Sequence, residues 1–381
     1  MTESGIYLDN NATTRILPVV AEAMAHAWSH GFANPGSRHG FGRDARKLLE
    51  SSRDVIADAL NCDSDEVIFT SGGTESINAA IHGFTVGRRG VIAITAGEHP
   101  ATTAACQRAS AHGMKTVTLP VDEHGLLRTE AFDALPWADL RLIAVMLAHN
   151  ETGVIQDLEQ LGQLCDKHRV PLLVDAVQAV GKIPVDFRAL RATALAFGAH
   201  KFHGPRGIGG LLLKRGVKLA PLLEGGHQES GRRAGTEPVP LICGMAASLR
   251  HFQQNLSERL EGVRSLRDEL QRRLETVCAP MVVHGRQVDR LPNTLCAAFP
   301  GLEGEAMLVN FDLAGIACSL GSTCASGSAE PAPALLAMGV PPDVCMASVR
   351  FSVSCQNSPE EIHLAADRVR EVVHRMRSAT N

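Results

Sequence analysis

Ala194-Leu195-Ala196-Phe197-Gly198-Ala199-His200-Lys201-Phe202-His203-Gly204-Pro205 is the stretch whose reading decides the fold. A short apolar run, Ala194 to Phe197, meets a lysine flanked by glycine and proline. Burial disfavours the charge of a lysine, so one placed just past a buried strand is unusual. Lys201 either snorkels to solvent or is an amine kept partly deprotonated to attack a carbonyl carbon. The flanking glycines and proline favour a fixed functional loop over a solvated face.

Outward from this strand, similar runs recur at Glu66–Thr70, Gly90–Thr95, Lys115–Val121, Arg141–Ala148, Pro171–Ala176 and Gly207–Leu213. Helical stretches Thr74–Val86, Pro100–Ala111 and Asp157–Arg169 lie among them. Near-continuous apolar strands alternating with helices predict an α/β fold, with a mostly parallel central sheet covered by helices on both faces. After Pro240 the texture changes. Leu241–Val277 reads as one long Arg- and Glu-rich helical bridge. Strands near 281–284, 293–299, 316–319 and 348–353, with helices at 303–313, 332–338 and 359–377, predict a smaller α+β unit. The expected division is a large domain at 15–259 and a small one from 1–14 and 260–381.

At 381 residues the chain has room for roughly two to three domains. Thirty-seven basic against 41 acidic side chains leave no basic stripe for nucleic acid and no field for an anionic membrane. Aromatic residues, at 4%, are too few for base-stacking platforms. No apolar run approaches the roughly 20 residues of a bilayer span, and the first residues lack an export signal, so a cytoplasmic location is expected. None of the ten cysteines forms a Cys-x-x-Cys pair, and scattered thiols fit a reducing compartment. A P-loop, a Gly-x-Ser-x-Gly elbow and a His-Glu-x-x-His helix are all missing. Gly40-Phe41-Gly42-Arg43-Asp44-Ala45 follows loop-like sequence rather than a strand, which argues against a dinucleotide site.

Three features fall at the carboxyl ends of expected strands, where open α/β sheets bind ligands. Thr70-Ser71-Gly72-Gly73-Thr74-Glu75 is either a phosphate cradle or an ordinary capped helix. Asp175 is either a helix-start acceptor or a partner for a cationic ring nitrogen. Lys201 is the third. An anion cradle, a strand-end acid and a strand-end amine are together what pyridoxal 5'-phosphate requires.

At this point the chain resembles the class V, fold-type I pyridoxal-phosphate enzymes, and among them the group I cysteine desulfurases of the NifS and IscS type. The resemblance runs from Tyr7-Leu8-Asp9-Asn10-Asn11-Ala12-Thr13-Thr14 to Ser348-Val349-Arg350-Phe351-Ser352. It includes Gly97-Glu98-His99, Asn150-Glu151-Thr152-Gly153-Val154, Val174-Asp175-Ala176-Val177-Gln178 and Arg233-Ala234-Gly235-Thr236-Glu237-Pro238. Its most specific string is Gly321-Ser322-Thr323-Cys324-Ala325-Ser326-Gly327-Ser328-Ala329-Glu330-Pro331.

The resemblance implies removal of sulfur from L-cysteine, giving L-alanine and a persulfide on Cys324 for an acceptor in iron–sulfur assembly or another thio-modification pathway. Lys201 would carry the cofactor aldehyde, and His99 would stack on the ring and move protons. Asp175 would pair the ring nitrogen, with Asn150 and Gln178 at the phenolic oxygen. Gly73, Thr74 and His200 would hold the phosphate, Thr236 would reach the phosphate of a second subunit in a homodimer, and Arg350 would clamp the substrate carboxylate beside Asn34. Small neighbours make the Cys324 segment a flexible carrier, and Cys324 could transiently ligate iron. A free thiol is only about a tenth thiolate near pH ~7.5, so Cys324 needs local activation. The other nine cysteines, Cys318 included, are expected to be small buried hydrophobes. The alternatives are a selenocysteine or other lyase on the same fold, and a non-catalytic sulfur-carrier platform.

Three departures from the pattern stand out. His149 replaces a common asparagine, with no role assigned. The chain stops at Asn381 without the longer tail that helps housekeeping members dock a scaffold, which favours a NifS-like or specialised branch. Gly198 stands where a phosphate-binding serine is frequent. Losing that hydroxyl costs about 1–3 kcal/mol unless water replaces it. Dialysis should therefore strip cofactor from this protein faster than from serine-bearing relatives; a fully loaded, active dialysate would contradict this.

Overall fold

The computed structural model describes residues 5–320 and 330–380. The chain opens with β1 (Ile6–Tyr7), α1 (Pro18–His30) and α2 (Gly40–Leu60). There follow β2 (Val67–Thr70), α3 (Gly73–Thr85), β3 (Gly90–Thr95), α4 (Pro100–Ser110), β4 (Met114–Leu119), β5 (Leu140–Met146), α5 (Glu159–His168), β6 (Leu172–Asp175), β7 (Ala194–Gly198) and β8 (Gly209–Leu213). Helices α6 (Val239–Gln253) and α7 (Leu256–Val277) lead to β9 (Val282–Val283), β10 (Thr294–Ala298), α8 (Gly304–Leu313), β11 (Ile316–Ala317) and β12 (Ser319–Leu320). The chain then runs through α9 (Pro333–Ala337), α10 (Pro342–Met346), β13 (Ser348–Ser352) and α11 (Pro359–Thr380).

Seven strands form the main sheet in the order β2-β8-β7-β6-β5-β3-β4. From β7 to β4 every pairing is parallel, and β8 is antiparallel to both its neighbours. The cause is local. The segment Ala199–Ile208, which carries Lys201, is too short to hold the crossover helix a parallel return needs. Alternate residues of the parallel strands feed two cores. Val145, Leu172, Val174, Leu195 and Phe197 pack on α2 and α6, while Leu142, Leu173, Ala194 and Ala196 pack on α3 and α4.

A separate core gathers Leu270 and Leu274 of α7, Phe311 of α8, Phe351 of β13 and Val369 and Val373 of α11 over the sheet β12-β13-β10-β9. Ile6 and Leu8 belong to it, and β1 pairs in parallel with β11. The expected single bridge over 241–277 is two helices. Asn255, at φ 57°, breaks it in the left-handed region that asparagine tolerates better than most residues.

The loop between β8 and α6 is anchored by charge. Arg53 donates through Nη1 and Nη2 to both carboxylate oxygens of Glu229, at 2.9 and 2.8 Å, and also to the Val67 carbonyl oxygen. Glu229 accepts from the Phe69 amide as well, and the Arg53 guanidinium lies 4.6 Å from the Phe69 ring centroid. Both partners are buried. Arg53→Leu would strand a buried carboxylate and should cost about 3–5 kcal/mol in urea denaturation. A loss under ~1 kcal/mol would mean that Glu229 is held by other contacts.

Candidate active site

The site forms at the carboxyl ends of β3, β5, β6 and β7. Gly73, Thr74, His99, Asn150, Asp175, Gln178, His200 and Lys201 line one cavity of about 180 Å³. At one end, the turn into α3 leaves its first amides without helical partners. Glycines let it fit. A Cβ on Gly73 would lie 2.4 Å from Val177 Cγ2, and one on Gly209 would lie 2.6 Å from Gly72 Cα. A Cβ on Gly198 would sit 3.3 Å from the Gly73 nitrogen, so the missing serine borders this cradle. His200 contacts Thr13 Oγ1 through Nδ1 at 3.2 Å, and burial, with Lys201 nearby, lowers its pKa to about 4.

Lys201 Nζ donates to the carbonyl oxygens of Asn11 and Ala12 at 2.7 and 2.9 Å. Burial, reinforced by Arg350, brings its amine down to about 8. Asp175 ends β6. Its Oδ1 accepts from the Val177 amide at 2.9 Å, and burial raises its carboxyl to about 6. It is thus a turn acceptor as well as a cavity-lining acid. His99 caps α4, with Nδ1 accepting from the Ala101 amide at 3.0 Å. A neutral ring therefore carries its proton on Nε2, and burial, then Lys201, lowers its pKa.

The geometry gives His149 a task that its sequence position left open. Nε2 donates to the Gly97 carbonyl oxygen at 3.1 Å, while Nδ1 accepts from the amides of Glu151 and Thr152 at 3.2 and 3.3 Å. The ring thereby ties the Asn150 turn to the loop before His99. Burial holds its pKa near 4, so it stays neutral and keeps this pattern.

Arg350, on β13, reaches across from the smaller sheet. Nη2 donates to Asp9 Oδ1 at 2.8 Å and Nη1 to the Asn150 carbonyl oxygen at 3.1 Å; Nε has no partner among the described residues. Asn34 and Thr236 are exposed and do not line the cavity; Asn34 Oδ1 accepts from the Gly36 amide in its own turn. Cys324 lies outside the described residues. Cys318 is half-buried and its thiol is pushed up to about 12. The expectation of burial fails for Cys355, which is exposed because it lies in the loop between β13 and α11.

Sequence reasoning passed over three residues here. Asp9 pairs Arg350. Lys182 Nζ donates to Asn11 Oδ1 at 2.7 Å and Gln178 Oε1 at 2.5 Å, which turns Gln178 Nε2 toward the Asn11 carbonyl oxygen at 3.0 Å. Burial drives the Lys182 amine well below its ordinary value. Glu98 Oε1 accepts from the Met146 amide at 2.7 Å. Burial, then the charge of Asp175, raises Glu98 to about 8. Both Glu98 and Lys182 lie within or just beyond the quoted strings, so adjacency to His99 and Gln178 was the available signal.

A slot with free helix amides at one end, a buried acid, and an amine titrating near neutrality fits a phosphorylated pyridine aldehyde. Fold and site together define an open-sheet α/β enzyme of the lysine-linked cofactor class. The chain belongs to the class-V aminotransferase family, whose model matches residues 6–364. It is 38% identical to a cysteine desulfurase of a Nostoc species, over 98% of this chain and 94% of the relative. It is also 38% identical to the cysteine desulfurase NifS of Azotobacter vinelandii, with the same shares covered. A solved NifS-like protein superimposes with a TM-score of 0.90 at 33% identity, covering 97% of this chain and 99% of that one.

Glu98 yields a pH prediction. The folded chain keeps its proton up to about pH 8, whereas the unfolded chain releases it in the ordinary carboxylate range. Its contribution to stability is thus complete below that range and is lost as pH rises through 8. Glu98→Gln should flatten the decline in urea midpoint between pH 5 and pH 8. Parallel declines in variant and parent would show that Glu98 ionises freely.

Proposed function

We propose that this protein is a pyridoxal-phosphate-dependent cysteine desulfurase that takes sulfur from L-cysteine, releases L-alanine and carries the sulfur as a persulfide on Cys324. The observation that carries this reading is the Lys201 amine, lowered to about 8 and lining one cavity with Asp175 and the α3 amides. Bound there, the cofactor supplies an electron sink for the substrate's Cα.

The chain's own groups do the rest. Gly73, Thr74 and His200 grip the phosphate, and Asp175 holds the proton on the ring nitrogen. A bond of that kind to a charged group contributes about 1.5–3 kcal/mol. Asn150 and Gln178 face the phenolic oxygen, with Gln178 held by Lys182. Arg350 takes the substrate carboxylate, its planar fork already fixed by Asp9 and the Asn150 carbonyl. Asn34, exposed outside the cavity in its own turn, is assigned to that subsite by the family resemblance alone. Lys201 Nζ takes the Cα proton and returns a proton. His99 Nε2 is the exchangeable position on a ring fixed at Nδ1, and it serves proton movement to and from the thiols. The Cys324 thiolate attacks the substrate sulfur. A sulfur–sulfur bond forms, the Cβ–sulfur bond breaks with its electrons staying on carbon, and protonation of Cβ completes alanine.

The same reading divides the chain into 15–259 and 1–14 with 260–381, in line with the separate cores. It makes the enzyme a homodimer in which Thr236 reaches the second subunit's phosphate. Supporting this, Thr236 is exposed and does not line the chain's own cavity, which leaves it free to meet a second subunit. A sulfur-acceptor protein and a cytoplasmic site of action belong to the proposal; no helix among the described residues is long and apolar enough to cross a membrane.

Cys324→Ala should lower alanine production from cysteine by at least ~100-fold and abolish ³⁵S labelling of the protein, while leaving the yellow colour of bound cofactor intact. Undiminished turnover would assign the sulfur step to another group.

A further inference from the structure

A second cavity, about 60 Å³, opens behind the Lys201 loop between the N-terminal segment, the α6–α7 junction and the loop after β13. Leu17, Phe202, Phe252 and Leu260 give it apolar walls. Its cationic lining is Arg259, beside the buried amines of Lys182 and Lys201, with no carboxylate among the described residues that line it. Arg259 makes no ion pair with a carboxylate among the described residues; its guanidinium contacts His251 Nε2. A cationic, partly apolar recess of this kind suits an anion with some organic body.

The recess also holds a thiol and a base. Cys355 Sγ lies 3.7 Å from His203 Nε2. His203 Nδ1 is 2.9 Å from the Arg15 carbonyl oxygen, which can only accept, so Nδ1 carries the proton and Nε2 of the neutral ring is free to accept one. The ring's backbone is held too. His203 has φ 66°, a left-handed value rare outside glycine, and its amide donates to Thr14 Oγ1 at 2.6 Å. A thiol beside an imidazole whose far nitrogen is oriented by a third group is the arrangement of an activated nucleophile.

We propose that Cys355 and His203 form a thiol-exchange site, separate from the desulfurase centre, for small carboxylate-bearing disulfides recognised by Arg259. The step balances without a further reagent. Cys355 loses its proton to His203 Nε2 and attacks one sulfur of the disulfide. A new sulfur–sulfur bond forms to Cys355 as the old one breaks. The departing thiolate takes the proton, so half of the disulfide is reduced and Cys355 is oxidised to the mixed disulfide. Base assistance matters because the Cys355 sulfur, on a residue that is exposed overall, is partly withdrawn from water in the recess, which raises its thiol pKa against the pull of Arg259. His203 meets that need as a neutral ring: burial lowers its pKa, the hydrogen bond to the Arg15 carbonyl opposes this, and Arg259 adds to the lowering.

The test uses the holoenzyme. It is exposed in parallel to oxidised glutathione, which is anionic, and to cystamine, which is cationic, and each cysteine's adduct is timed by peptide mass spectrometry without reduction. Cys355 should be thiolated at least ~10-fold faster than half-buried Cys62 or Cys243. Glutathione disulfide should outpace cystamine there by ~10-fold or more, as expected for a charge-assisted contact. Arg259→Gln should erase that preference. His203→Gln should slow both reagents at Cys355 by ~10-fold or more. An unlabelled Cys355, or equal rates with the two disulfides on the parent protein, would overturn the proposal. The reagent comparison needs no variant, so poor folding of His203→Gln leaves it decisive.

Discussion

Asn11 is the contact on which the rest depends. Its amide nitrogen donates to Ser352 Oγ, and its carbonyl oxygen accepts from Lys201 and Gln178. Its Nδ2 donates to the Asn150 carbonyl oxygen and Thr294 Oγ1, while its Oδ1 accepts from Lys182 and Asn293. One buried residue, through backbone and side chain together, thus joins the carboxyl ends of the main sheet to β10 and to Ser352 of β13 in the smaller one. Arg350 Nη1 meets the same Asn150 carbonyl oxygen that Asn11 Nδ2 holds, while Asp9 of this N-terminal strap pairs its Nη2. Such networks carry more than the sum of their members, since each unpaired member would remain stranded in a low dielectric.

The same low dielectric sets the chemistry. Burial alone would neutralise most ionisable groups in the site, and it does so for His149 and Lys182. Lys201 sits between regimes, because Asp175 and Asp9 offset part of its desolvation. Two acids at the strand ends, Glu98 and Asp175, cannot both be charged cheaply. Glu98 keeps its proton the longer of the two, leaving Asp175 as the acid free to ionise toward a cationic ring.

Much of this was legible in the chain. Continuous apolar runs at the β5, β6 and β7 positions announced a buried parallel sheet, and Gly72-Gly73-Thr74, Asp175 and Lys201 fell at strand ends. Other elements were not legible. In α1 only Val20 and Ala27 are buried, while Val19 and Trp28 face outward, so its apolar periodicity is weak. Helix α2 begins at Gly40, directly after the loop-like run 34–39, where Gly40 and Gly42 weaken the helical signal although Ala45, Leu49, Ile56 and Leu60 carry a helical stripe. The break at Asn255 turns on a single residue's dihedral angle, which periodicity does not register.

By itself the sequence determined the α/β class and the strand ends at which Gly72-Gly73-Thr74, Asp175 and Lys201 fall. These follow from patterns that repeat along one strand or turn, where local sterics and burial act. Only the tertiary structure decided that His149 is a neutral pin, that Asp9 fixes Arg350, that Glu98 stays protonated beside Asp175, and that Cys355 meets His203. Each of these depends on a partner distant in the chain, or on the depth at which a group is withdrawn from water, and neither is written in local spacing.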